Sequence, residues 1–124
     1  YVGAAAYPDG VCYSYYPVDL HADGEQTLHN IAVTKDRVPQ IPLSAMLVKG
    51  MDNLLAAGRC ASGDRLAQSA FRVKASCMAM GEAAGTAAAA AAKQGVRVTE
   101  IDVDALRRRL HDNGVLVPGI DDVR

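Results

Sequence analysis

The run from Asp52 to Lys93, DNLLAAGRCASGDRLAQSAFRVKASCMAMGEAAGTAAAAAAK, decides how the rest of the chain is read. It opens on an apolar run, Leu54 Leu55 Ala56 Ala57, which predicts a strand that halts at Gly58. A polar loop with Arg59, Ser62, Gly63 and Asp64 follows, and then helix-forming sequence that becomes almost pure alanine. Gly58 has no side chain and tolerates positive φ, so the backbone there can come close to a bound group. The helix beyond it offers unpaired N-terminal amides, the positive end of its dipole, to an anion or an electron-rich ring edge. A strand, a glycine turn and a long small-residue helix thus make a cradle, although that arrangement alone is common.

On either side of this stretch the chain punctuates itself. Arg65 to Phe71 predicts a short helix capped by Ser62 or Asp64, and a second helix is expected from Ala75 or Ser76 to about Gln94, ended by Gly95. A third helix should be capped by Asp102, carry Leu106 and Leu110 one turn apart and stop at Asn113 Gly114. The tail VLVPGIDDVR reads as a short extended piece with a loose end. Upstream, Pro8 Asp9 Gly10 is a turn signal with glycine in the left-handed position. Strands are then expected over Val11–Leu20, Ile31–Arg37 and Ile41–Lys49, with Pro17 marking an edge or a bend. The tyrosines of VCYSYY suit a substrate-facing wall or, more commonly, a half-buried sheet face. The fold class is therefore α+β or α/β: short antiparallel strands, a strand, glycine loop and long helix unit, and a final helix.

The residues of the central stretch also carry a family resemblance. Asn53, Gly58, Arg59, Ser62, Ala67, Arg72, Cys77, Met78, Ala79, Gly81, Ala83, Ala84 and Gly85 fit a pattern NLL-x-AGR-x-x-S, then A-x-x-x-x-R-x-x-x-x-C-M-A-x-G-x-AAG-x-AAA. That pattern resembles the C-terminal segment of the FAD-dependent oxidoreductase family, flavoproteins with a glutathione-reductase-type dinucleotide fold. It covers about a third of the chain closely, with a weaker likeness through IPLSAML and YPVDLH. One departure is Ala75, where the family often has proline at the helix entrance; alanine is compatible with that position.

The resemblance implies FAD as cofactor, a small organic substrate and hydride transfer between them. It sets the amides of Cys77, Met78 and Ala79 at the flavin edge with Ser76 as first-turn cap, and Gly58 and Arg59 along the ribityl chain and pyrophosphate. Arg72 would reach the flavin or an anionic substrate, and His21, in an Asp-Leu-His run like one in the family's substrate half, would contact substrate or donate a proton. On the residues alone Gly58 could simply turn a strand, Arg59 pair with a surface carboxylate and Arg72 bind helix carbonyls.

The family's glycine-rich phosphate fingerprint, GxGxxG, does not occur in this sequence. The expectation is accordingly a C-terminal portion of a two-domain flavoprotein that would hold FAD weakly or not at all without the remainder. Residues 1–51 would belong to the substrate sheet, 52–95 to the FAD-binding domain, and 96–124 to a C-terminal helix and tail. A rival reading is a non-catalytic docking or oligomerisation module that uses the Ala/Gly-rich helix, since apolar surface left uncovered favours self-association.

Composition narrows the alternatives. Half of the 124 residues are hydrophobic, but much of that is alanine, with one Phe and no Trp, so the core should be thin. A net charge of −1 argues against a nucleic-acid partner, and the one basic run, Arg107 Arg108 Arg109, reads as a solvated face. Cys12, Cys60 and Cys77 are odd in number and lack CxxC spacing, which suits a reducing, cytoplasmic setting; Cys60 is the expected exposed thiol and Cys77 a small packing residue. His21 and His29 match no zinc spacing, so no metal is expected. The alanine run is too short to span a bilayer.

Overall fold

The computed structural model describes residues 5–19, 33, 34 and 38–121. Among them the order is strand β1 (Gly10–Tyr13), strand β2 (Gln40–Pro42), helix α1 (Arg65–Phe71), helix α2 (Lys74–Gln94) and helix α3 (Val103–Asp112). Short 3₁₀ turns at Leu43–Met46, Gly58–Cys60 and Val98–Glu100 join them. The architecture is α+β, with the small sheet packed against the long helix.

β1 and β2 pair antiparallel, with Cys12 opposite Ile41 and Tyr13 opposite Gln40, and an irregularity between Gly10 and Cys12. The ladder is shorter than the Val11–Leu20 and Ile41–Lys49 runs predict. Pro39 and Pro42 bracket β2 and have no amide hydrogen to donate, and after Pro42 the chain coils into the 3₁₀ turn at Leu43–Met46. The strand expected over Ile31–Arg37 falls mostly outside the described residues. Tyr7 to Gly10 does form a turn, with the Gly10 amide donating to the Tyr7 carbonyl at 3.1 Å. Gly10 is required there for space and not for a left-handed φ: a Cβ would lie 2.9 Å from Gln40 Oε1 and 3.2 Å from the Tyr7 carbonyl.

The run Asn53 to Ala57 is not a ladder strand. It makes one isolated bridge, Leu55 to Leu47, and the Ala56 amide donates to the Met46 carbonyl at 2.8 Å. Two alanines and no β-branched residue give little side-chain surface for a pleated neighbour to pack on.

The helices follow their caps. Asp64 accepts the Ala67 amide at 2.8 Å and starts α1, whereas Ser62 uses its own amide on the Ala45 carbonyl. Arg72, still helical in its dihedrals, and extended Val73 separate α1 from α2, and Val73 serves as the α2 cap without a side-chain bond. α2 therefore opens one or two residues before the expected Ala75 or Ser76. It ends at Gln94 with Gly95 left-handed at φ 67°, and the Val96 amide closes onto the Ala91 carbonyl at 3.1 Å. Asp102 accepts the Ala105 amide at 3.0 Å and starts α3.

One buried stripe on α2, Ser76, Met80, Ala83, Ala87 and Ala91, faces the sheet and α3. Its spacing of four, three, four and four residues keeps it on one side of the helix. Fully buried Ile41, Met46, Met80 and Leu110 supply the large apolar volume, each contributing about 1.5–3 kcal/mol by burial. The alanines add only about a methylene's worth each, roughly 0.8 kcal/mol, but let α2 lie close to its neighbours.

Two expectations about the C-terminal third are corrected. The tail is not loose as far as Asp121: Val117 is fully buried, and the Ile120 and Asp121 amides donate to its carbonyl. Nor is Arg107 part of a solvated face. Its guanidinium donates to the Gly10 carbonyl at 3.1 Å, to that of Pro8 at 3.4 Å and to that of Pro118, while Arg108 and Arg109 are exposed. No described helix is long and apolar enough to cross a membrane.

Candidate functional site

The site is built where α1 breaks, the Gly58 turn passes and α2 begins. Gly58 sits at φ 69°, a conformation that costs any residue with a Cβ, and heads the 3₁₀ turn closed by the Ala61 amide on its carbonyl at 3.1 Å. A Cβ on Gly58 would lie 3.6 Å from Cys77 Cβ, so the turn rests directly on the first turn of α2. The glycine is needed for its backbone conformation, since the space beside it is ordinary.

The arginines hold the corner. Arg59 Nε donates to the Arg72 carbonyl at 3.2 Å, which ties the Gly58 turn to the end of α1. Arg72 Nε donates to the Ser69 carbonyl at 3.3 Å, and its guanidinium lies 3.8 Å from the Asp19 carboxylate. Both side chains keep part of their cationic surface toward solvent at the mouth of the helix.

The donors at the helix start are shifted from the expected residues. With Val73 as cap, the Cys77 amide already donates to the Val73 carbonyl at 3.0 Å, and helix geometry takes the Met78 and Ala79 amides in the same way. The amides that face out of the helix end are those of Lys74, Ala75 and Ser76. Ser76 is no cap. It lies in the first turn with its hydroxyl 2.7 Å from that of Ser14, in a buried pair joining α2 to the chain just after β1. The Met78 side chain is 75% exposed and takes no part in packing. Cys77 is half-buried, with its thiol 3.8 Å from the Phe71 carbonyl, and Cys60 is the exposed thiol. His21 lies outside the described residues.

Among the described residues, cavities adjoin α2 at its start and along its middle. One of about 480 Å³ opens beside its start, lined by Cys12, Tyr13, Tyr15 and Tyr16, by Val73, Ala75, Ser76 and Ala79, and by Val115 and Leu116. Burial pushes the Cys12 thiol up to about 12, so it remains protonated. The tyrosines of VCYSYY suggested such a wall, but nothing local indicated that the tail would close its other side. The second cavity, about 660 Å³, runs between α2 and α3 along Gly81, Gly85 and Ala89, with Glu82, Lys93 and Arg109 around it.

A left-handed glycine turn seated on a helix start, with outward amides and two arginines at the corner, fits an electron-rich ring and its phosphates. A family model described as FAD dependent oxidoreductase matches residues 1–110. No curated protein and no solved structure gives a significant match. With most of its length matched, the chain belongs to the FAD-dependent oxidoreductase family, and FAD is the cofactor that this membership implies.

Proposed function

We propose that this chain forms the flavin-edge part of an oxidoreductase with a glutathione-reductase-type dinucleotide fold, which transfers a hydride between a small organic substrate and FAD. The observation that carries the reading is the Gly58 turn packed on the first turn of α2, because together they offer close backbone approach and oriented amides at one place. Residues 1–51 then stand on the substrate side, 52–95 on the cofactor side, and 96–124 close the rear.

FAD, when bound, supplies the hydride chemistry. The chain's own contribution is electrostatic and positional. Outward amides at Lys74, Ala75 and Ser76 favour negative charge at the ring edge they meet, helped by the helix dipole. Cys77, Met78 and Ala79 form the turn behind them, with Ala79 among the cavity walls. Gly58 and Arg59 suit the ribityl chain and pyrophosphate through close backbone approach and one positive charge. Arg72 is the candidate contact for an anionic substrate, and His21 the candidate proton donor.

The test is a visible absorption spectrum of the protein purified with its full reading frame, before and after incubation with FAD. Flavin bands that bleach with a reducing substrate, and a Gly58→Val variant that binds FAD more weakly, are expected. A protein that takes up no FAD under either condition refutes the proposal.

A docking role for α2 is the second reading, favoured by Gly81 and Gly85. Neither has an atom within 4 Å of where its Cβ would be, and exposed interior helix glycines each cost about 1 kcal/mol relative to alanine. A partner backbone against that face would give them a use. Light scattering on the 124-residue chain separates the readings: a concentration-dependent dimer lost in Gly81→Leu favours docking.

A further inference from the structure

The open groove between α2 and α3 carries both signs of charge along one face of α2, with Arg109 on the α3 wall. Glu82 and Lys93 stand three turns apart on that face, about 16 Å along the helix. Both are exposed, and among the described residues neither makes an ion pair. Glu82 has only a long bond from Asn113 Nδ2, at 3.4 Å. Between the two charges the face is small: Gly85, Thr86, Ala89 and Ala90. No atom lies within 4 Å of where a Cβ on Gly85 would stand. Helices approach as closely as the side chains between them allow, so this face admits another helix at about 8 Å between axes.

Whatever covers the face has to answer both charges. An anion drawn by Lys93 and Arg109 would meet Glu82, and a cation drawn by Glu82 would meet the other two. A second copy of the same face satisfies the condition in one arrangement. Antiparallel helices related by a two-fold axis between Ala87 and Ala88 bring Glu82 level with Lys93 of the other copy, and do so at both ends of the contact. Gly85 then lies level with Ala90, and Thr86 with Ala89, so only small side chains separate the two charge pairs. We propose that this face is an isologous, antiparallel contact through which two copies of the chain associate. The proposal names the partner for the docking reading of α2 and rests on that reading; it is independent of flavin binding.

Sedimentation velocity on the 124-residue chain over a wide concentration range reads the association, and a dimer is expected. Glu82→Lys and Lys93→Glu, both at exposed positions where folding is not at stake, should each weaken it by about tenfold or more, since each sets like charges together at both ends. Mixed one to one, the two variants should associate to within about threefold of the unaltered chain, because both pairs across a mixed dimer are then Lys with Glu. Gly85→Leu, with open space around it, should abolish the dimer by bulk alone. No recovery on mixing overturns the proposal; if Gly81→Leu still abolishes the dimer, the docking reading survives and this pairing alone has failed. A chain that stays monomeric throughout overturns both. The protein purified with its full reading frame should dimerise as well. A monomer there, beside a dimer of the 124-residue chain, overturns the proposal, since the rest of that protein and not a second copy would then cover the face.

Discussion

Of the three consecutive arginines 107–109, only the first should matter for stability. The Arg107 side chain is 16% exposed and its guanidinium serves three carbonyls, those of Gly10, Pro8 and Pro118, from two distant parts of the chain. Gly10 and Pro118 are buried, so their carbonyls would be left poorly solvated if the guanidinium were removed. Hydrogen bonds to a charged group contribute about 1.5–3 kcal/mol each, and water re-entry recovers part of that. The nearby Asp104 carboxylate, at 3.4 Å and 71% exposed, adds little. Arg107→Ala should therefore cost about 3 kcal/mol, or roughly 10 °C in Tm for a chain of this size. Arg107→Lys should recover less than half, because an ammonium is a point donor and cannot span three acceptors. Urea unfolding followed by circular dichroism measures all three variants, with Arg108→Ala as the exposed control expected within about 0.5 kcal/mol of wild type. An Arg107→Ala variant no less stable than Arg108→Ala would refute the reasoning.

Further expectations rest on other parts of the fold. Gly81→Ala and Gly85→Ala should each stabilise the isolated chain by about 0.5–1 kcal/mol in thermal melts, since both face open space in a helix interior. Gly63→Ala should instead destabilise by about 1–3 kcal/mol, because a Cβ there meets buried Phe71 at 2.8 Å. Iodoacetamide labelling read by mass spectrometry should modify exposed Cys60 first and half-buried Cys77 next. Buried Cys12, its thiol pushed up to about 12, should react last. The Asp121 carboxylate is held below its ordinary 3.8 by the Val117 amide and then by His111. Its contribution is therefore present above the unfolded carboxylate's range and lost as pH falls through the lowered folded value. The protection factors of the amides in residues 115–121, with intrinsic exchange divided out, should fall as pH drops below about 4.

Local chemistry made much of this molecule legible. Asp64 and Asp102 announce their helices because a carboxylate before a helical run has waiting amides to accept, and Gly95 ends α2 because only a residue without a Cβ takes the left-handed cap easily. The spacing of Leu106 and Leu110 and the positive φ at Gly58 were also readable. The strands were less so: tyrosine- and valine-rich sequence suggested long ladders, but prolines at 39 and 42 removed the donors that would extend them.

The sequence by itself determined the family, through unlike residue types at fixed spacings from Asn53 to Gly85, and with it the cofactor that membership implies. Tertiary structure alone decided which amides face out of α2, because the one extended residue at Val73 depends on how α1 and α2 pack and not on a local capping signal. It also decided that Ser76 meets Ser14 across 62 positions, that Arg107 reaches three carbonyls, and that the tail closes a cavity against the tyrosines. Those are contacts between segments far apart in the chain, and neither periodicity nor propensity carries information about which distant surface a side chain will meet.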